Sequence, residues 1–173
     1  PLIVEIGSGA GDSLVPMAAD RAEANIVAFE VFEPAIASTL GKLGRRGVTN
    51  VRVVVADGAQ GLAKLFDDGS VSELWTFFAD PWHKKRHHKR RLVNTEFAGL
   101  VARKLAPGGV WRLATDWEDY AIQMLEVLSA EPALANTADG YAPRPDYRPL
   151  TKFENRGIKL GHGVWDLVFT RIA

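Results

Sequence analysis

One stretch of the chain concentrates the residue types that do chemistry. Phe77-Phe78-Ala79-Asp80-Pro81-Trp82 runs straight into His83-Lys84-Lys85-Arg86-His87-His88-Lys89-Arg90-Arg91. An apolar segment ends in a carboxylate, Pro and Trp follow, and then come nine residues drawn only from Lys, Arg and His. So many like charges repel one another unless an anion neutralises them. A phosphate backbone is the matching partner, because each Lys or Arg that meets a phosphate releases a counterion. The plain alternative is a solvated basic loop. A second site lying alongside would favour the first reading. Trp82 serves either as a stacking surface for a base or as packing.

A second site is present. Leu2 to Ile6 is a short apolar run that ends in Gly7-Ser8-Gly9-Ala10-Gly11 and opens into a helix. Glycines there let the turn bend tightly and let the backbone approach a ligand. On its own such a turn is weak evidence. Its context is stronger. Glu30 closes the next apolar run about 20 residues on, where an acid can accept from both hydroxyls of a ribose. Asp57 closes the third run, where it can accept from an adenine amino group. Gly7, Gly9 and Gly11 lack the spacing of the dinucleotide fingerprint, which favours S-adenosylmethionine over a nicotinamide cofactor. Glu5 either holds the glycine turn or binds the cofactor's amino group, and both roles need an ionised carboxylate.

The two sites together suit one reaction. Guanine N7 in a nucleoside carries a lone pair and no proton, so it attacks a sulfonium methyl group without a general base. The product ring is cationic. Asp80 is placed to accept from guanine N1–H and the exocyclic amine and to stabilise the growing charge. That is electrostatic catalysis with its sign reversed from an oxyanion hole. Holding N7 in line with the methyl group supplies the rest.

The elements that must position these groups alternate. Apolar runs occupy Leu2 to Ile6, Asn25 to Glu30, Val51 to Ala56, Val71 to Ala79, Val110 to Ala114 and Val164 to Thr170. Helical patterns occupy Asp12 to Asp20, Pro34 to Arg46, Leu92 to Leu105 and Trp117 to Ser129, the third stopped by Pro107-Gly108-Gly109. Residues 131–150 read as a loop with one short strand. Alternation of this kind predicts βαβ units, a mostly parallel sheet and helices on both faces. Ligands then sit at the carboxyl ends of the strands. The glycine turn, Glu30, Asp57, Asp80 and Asp116 all lie just past such ends. Asp116 either accepts from a base or ribose or caps the following helix. Thr151-Lys152-Phe153-Glu154 has the spacing of a capping box. Arg156 and Lys159 are either phosphate contacts or surface charges. His162 has no assigned role, and Trp165 is expected in the core.

Composition sets the outer bounds. The chain of 173 residues fits one domain, 47% of it is hydrophobic, and Lys+Arg and Asp+Glu both number 21. The even balance says nothing about nucleic acid; the clustering does. There is no Cys, which excludes a disulfide framework and a cysteine-based zinc site. No metal is expected. No apolar run reaches the roughly 18 residues of a membrane span, and a cytoplasmic protein, monomer or homodimer, is expected. The chain opens on Pro1-Leu2-Ile3-Val4, already in an apolar run. A single domain over 1–173 lacking an N-terminal extension is therefore expected.

Several segments resemble the bacterial tRNA (guanine-N7-)-methyltransferases. They are VEIGSGAGDSL (4–14), FEVFEP (29–34), FADPWHKKRHHKRRLV (78–93), LAPGGVWRLATDWEDYA (105–121) and RPLTKFENRGIKLGHGVWDL (148–167). The resemblance spans nearly the whole chain, and the DPW-plus-basic, TDWEDYA and TKFE segments are far more specific than the glycine turn. It implies a Rossmann-like class I S-adenosylmethionine-dependent methyltransferase fold of the α/β class, acting on a guanosine in the tRNA variable loop. By motif position it implies cofactor contacts at Glu5, Gly7, Gly9, Gly11, Glu30, Asp57 and Asp80, with Asp80 also catalytic. It implies substrate contacts at Lys84, Asp116, Thr151, Lys152, Phe153 and Glu154. Arg86, His87, His88, Lys89, Arg90 and Arg91 would contact RNA. Without RNA the basic run is expected to be mobile, because its charges lack obvious partners.

Three other readings use fewer features. A nicotinamide oxidoreductase predicts a different glycine spacing and a hydride-transfer site. A non-catalytic RNA-binding protein predicts loss of the strand-end acids. A methyltransferase acting on a small molecule has no use for the Lys/Arg run.

Overall fold

The computed structural model describes residues 1–173. Seven strands form one sheet: β1 (Leu2–Ile6), β2 (Asn25–Glu30), β3 (Val51–Val55), β4 (Val71–Phe77), β5 (Leu105–Thr115), β6 (Leu134–Asn136) and β7 (Trp165–Arg171). Their order is β3-β2-β1-β4-β5-β7-β6. Strands β1 to β5 are parallel; β7 runs antiparallel to both β5 and β6. The helices are α1 (Leu14–Ala19), α2 (Glu33–Arg46), α3 (Gly58–Leu65), α4 (Thr95–Lys104), α5 (Glu118–Ala130) and α6 (Lys152–Lys159). No helix is long and apolar enough to cross a membrane.

The central strands are apolar on both faces because helices cover both. Side chains alternate along each strand, so neighbouring residues enter different cores. Val4, Ile6, Leu74, Trp111 and Leu113 pack with Phe97 and Val101 of α4 and with Tyr120 and Met124 of α5. Ile3, Trp75 and Phe77 pack on the other face with Leu14, Met17 and Leu43. The chain reverses its direction of travel across the sheet between β1 and β4, and the loops after these two strands therefore flank a crevice at their carboxyl ends. That is where open α/β sheets bind ligands. The glycine turn follows β1, and the Asp80 loop follows β4.

Several boundaries differ from those the sequence suggests. Helix α1 starts at Leu14 because the residues before it complete the glycine turn. Helix α4 starts at Thr95, where Asn94 Oδ1 accepts from Phe97 N at 2.9 Å and caps the first turn. Strand β5 begins at Leu105, so Pro107-Gly108-Gly109 lies at its entry, beside a register shift against β4. Helix α3 has no counterpart in the sequence reading, because Gly58 and Gly61 dilute its pattern. They are required there by close packing. A Cβ on Gly61 would lie 2.2 Å from the ring of Phe29.

Candidate active site

The turn after β1 is built for close approach. Gly7, Gly9 and Gly11 all have positive φ (76°, 56° and 81°), a region that side chains with a Cβ rarely adopt. Gly7 N and Ser8 N donate to Phe29 O at 2.9 and 3.2 Å, which pins the turn to the end of β2. Glu30 binds it from that strand, its Oε1 accepting from Gly9 N at 2.9 Å. Its Oε2 accepts from Val31 N and Phe32 N at 2.7 and 3.1 Å. Glu30 thus holds the turn, and Oε1 keeps a lone pair for a further donor. Asp57 caps α3 through Oδ1, which accepts from Gln60 N at 2.9 Å. Its Oδ2 stays available at the exposed end of β3.

Glu5 is only 2% exposed, yet its Oε2 has no hydrogen-bond partner. Burial, and secondarily the Glu30 charge, push its carboxyl up to about 8. It lines a cleft of about 250 Å3 with Gly7, Gly9, Phe77, Phe78 and Phe153. A buried carboxylate without a donor, beside glycines that admit a ligand, fits an ammonium group. The residues present therefore fit an amino-acid-bearing cofactor.

The loop after β4 carries Asp80 between two strained aromatics. Phe78 has φ 55° and Trp82 has φ 46°. For bulky side chains this left-handed conformation costs roughly 1–3 kcal/mol each and persists only where surroundings impose it. Phe78 N donates to Ala114 O at 2.8 Å. Trp82 N donates to Asp80 Oδ1 at 3.1 Å. Asp80 itself is exposed. Phe78 lines the glycine cleft, and five residues later His83 lines a second cleft. Asp80 lies on the segment that joins them.

That second cleft, of about 540 Å3, is bounded by Asp116, Trp117, Glu118, His162 and Trp165 besides His83. Asp116 caps nothing: Thr115 Oγ1 accepts from Trp117 N at 3.2 Å, and α5 has no side-chain cap from its own N-cap residue. The His83 ring meets Trp117 edge-on at 4.1 Å, and Trp117 remains 37% exposed. Aromatic faces with carboxylates between them suit a base with N–H and amino donors.

Beside the clefts, Lys85–Arg90 forms a 3-10 turn. Lys84, Lys85, Arg86, Lys89 and Arg90 are exposed on it. His87 packs edge-on against Trp82 at 5.9 Å, and the Arg90 guanidinium lies over the same ring at 5.2 Å. His88 Nε2 is 3.6 Å from Asp119 without a hydrogen bond.

The 141–163 segment closes the far side. Thr151 Oγ1 accepts from Glu154 N at 3.1 Å and caps α6. Phe153 projects to the Phe78 ring at 5.6 Å. Glu154 does not return to the cap. Its carboxylate turns inward to Arg148 and Arg144. Arg148 is fully buried; its Nη2 also donates to both oxygens of Asp166, at 3.0 and 2.9 Å, and its guanidinium lies 5.4 Å from the Phe78 ring centre. Burial raises the Asp166 carboxyl, and Arg148 opposes the rise.

Known proteins place this arrangement. Residues 1–167 match the family model described as "Putative methyltransferase". The tRNA (guanine-N(7)-)-methyltransferase of Paracidovorax citrulli is 54% identical over 100% of this chain and 70% of its own length. The chain belongs to this methyltransferase family. The tRNA (guanine-N(7)-)-methyltransferase of Shewanella putrefaciens is 56% identical over 99% of the chain and 73% of its own length. Against the relative of the same name from Cutibacterium acnes, 54% identical, the chain spans 63% of the length. Among solved structures, the 16S rRNA methyltransferase KamB superposes with TM-score 0.69 at 16% identity, over 99% of this chain and 88% of its own. A SAM-dependent O-methyltransferase from Thermotoga maritima superposes with TM-score 0.66 at 18% identity, over 99% and 59%. These two likenesses show the Rossmann-like fold.

Within this family member, geometry sorts the expected site residues. Glu5, Gly7, Gly9, Thr151 and Phe153 share one cleft, and Asp116 lies in the other. Lys84, Arg86, Lys89 and Arg90 face solvent, as does Lys152. Two expected contacts are corrected. Arg91 is 2% exposed and bonded within the protein, so it is not an RNA-facing cation. Glu154 is 1% exposed and consumed by its arginines, so it does not reach a substrate. The basic run, expected to be mobile, is a turn with partners on α5 and Trp82. His83, Trp117, His162 and Trp165 line the second cleft, and Trp165, expected in the core, is only half-buried there. Of these, only Trp117, directly after the strand-end acid Asp116, carried a signal in the sequence.

Proposed function

We propose that the chain transfers a methyl group from S-adenosylmethionine to N7 of a guanosine in the variable loop of tRNA, in the cytoplasm where tRNA resides. The observation that carries this reading is the Asp80 loop. It runs from a glycine cleft with an unpaired buried carboxylate to an aromatic, acid-lined cleft, and leaves beside a turn of exposed cations. Family membership supports it, since relatives more than 50% identical carry the name of that reaction.

The residues take the following parts. Glu5 holds the cofactor's ammonium group, the free lone pair of Glu30 accepts from its ribose, and Asp57 Oδ2 accepts from its adenine. Bound there, S-adenosylmethionine supplies an electrophilic sulfonium methyl group. Asp80 orients the guanine by accepting from N1–H and the amino group, and it counters the positive charge as N7 is alkylated. No residue has to remove a proton, because N7 carries none. Asp116 and the rings of Trp117 and His83 receive the base or its neighbour. Lys84, Arg86, Lys89 and Arg90 neutralise phosphates. Thr151, Lys152 and Phe153 border the donor side of the acceptor, and Glu154 holds that border in place.

Replacing Asp80 with Ala tests the assignment. Loss of one preorganised electrostatic group costs about 100- to 1,000-fold in turnover, and tRNA binding should stay close to that of the parent. Normal turnover would remove Asp80 from the mechanism.

A further inference from the structure

We infer that Arg91 is a positioning residue for Asp80: it clamps the loop carrying that carboxylate onto α5 and does not contact RNA. The inference rests on the reading of Asp80 as the carboxylate at the reacting base.

Arg91 ends the run of nine cationic-type residues, yet its side chain is 1% exposed. Its guanidinium is used in three directions. Nε donates to Pro81 O at 2.7 Å, Nη1 to Gln123 Oε1 at 2.8 Å and Nη2 to Asp119 Oδ2 at 2.8 Å. The plane lies over the Tyr120 ring at 4.9 Å. Asp119, Tyr120 and Gln123 all belong to α5, which also grips the residues just beyond Arg91. Tyr120 Oη accepts from Val93 N at 2.9 Å, and Gln123 Nε2 donates to Val93 O at 2.9 Å. The segment leaving the basic turn is therefore fastened to α5, a helix whose Tyr120 face is packed in the core, at both its backbone and its side chain.

Pro81 is what makes this fastening matter. It follows Asp80 directly and has no N–H, so its carbonyl is its only backbone handle. Trp82, one residue on, stays left-handed at φ 46° and donates its N–H to Asp80 Oδ1. Pro81 C=O and Trp82 N–H belong to one planar trans peptide, so the Arg91 bond to the carbonyl on one side fixes the N–H on the other. With the carbonyl released, that plane can turn about Pro81 ψ and withdraw the N–H from the carboxylate. Asp80 is then free to turn away from the base. A shift of about 1 Å at a reacting centre costs about 100-fold. Lysine cannot substitute, because a single ammonium does not reproduce three donors fixed in one plane.

The test uses the full chain with Arg91→Lys, Arg91→Gln, Asp119→Asn, Asp80→Ala and the Arg91→Lys/Asp80→Ala pair. Single-turnover methyl transfer to tRNA is measured together with the salt dependence of tRNA binding. Arg91→Lys should lower the rate by about 10- to 100-fold, with an unchanged salt slope and an unchanged KM for tRNA. In the Asp80→Ala background it should add no further loss. A full further loss there would mean a purely structural role and would overturn the inference. So would an Arg91→Gln variant with an intact rate and a salt slope lowered by about 0.7–0.9, because removing the charge removes one phosphate contact. Should Arg91→Lys fail to fold, Asp119→Asn must show the same pattern in weaker form, its side chain being 60% exposed. Normal turnover in Asp80→Ala defeats the reading of the site; impaired Asp80→Ala beside normal Arg91→Lys defeats this inference alone.

Discussion

Replacing Glu5 with Gln should stabilise the free chain while weakening its hold on the methyl donor. In the fold the carboxyl is buried, meets no donor through Oε2, and is pushed from 4.5 up to about 8 by desolvation and by Glu30. A raised value means that the folded chain keeps a proton the unfolded chain has already lost. The stability this provides is fully present below pH 4.5 and is lost as pH rises towards 8. Each unit in that window costs about 1.4 kcal/mol. By pH 7 the loss is about 3 kcal/mol, a large share of the 5–15 kcal/mol typical of a domain. Glutamine has nearly the same shape and never ionises, so it escapes the loss. Urea unfolding of both chains at pH 5 and pH 7, with and without S-adenosylmethionine, measures the effect. The variant should gain little at pH 5 and about 3 kcal/mol at pH 7, and the cofactor should stabilise the parent far more than the variant. An equal difference at both pH values would show that Glu5 ionises normally in the fold. Equal stabilisation of both chains by the cofactor would remove Glu5 from its binding site.

The other expectations concern the acceptor side. Changing Lys84, Arg86, Lys89 and Arg90 together to Ala should lower the slope of log affinity for tRNA against log salt by about 3. An unchanged slope in a filter-binding titration would put the phosphate contacts elsewhere. Glu154→Gln leaves Arg148 buried with a weakened partner set, and breaking a buried pair costs about 3–5 kcal/mol. Thermal unfolding that shows no loss of stability would contradict the account of Glu154 as an internal anchor.

What the sequence discloses follows from which physics is local. Apolar runs closed by acids mark strand ends directly, so β1 to β5 and the acids at positions 30, 57, 80 and 116 are legible from residue order. Thr151 is legible as a cap for the same reason. Helix α3 is not, because its glycines answer to the ring of Phe29 from another element. The antiparallel entry of β7 depends on how far the 131–163 segment travels, which no local pattern encodes. Charge alone cannot separate Arg91 from Arg90: they are adjacent, one buried on α5 and one exposed on Trp82. Glu154 likewise reads as half of a capping box until Arg148 is seen beneath it. His162 and Trp165 enter the Asp116 cleft only through the fold.

The central claim is tested most directly by incubating the chain with labelled S-adenosylmethionine and unmodified tRNA and mapping the methylated nucleoside. The parent should form 7-methylguanosine at a variable-loop position, and Asp80→Ala should form almost none. Methylation of a different atom, or equal yields from the parent and Asp80→Ala, would contradict the claim.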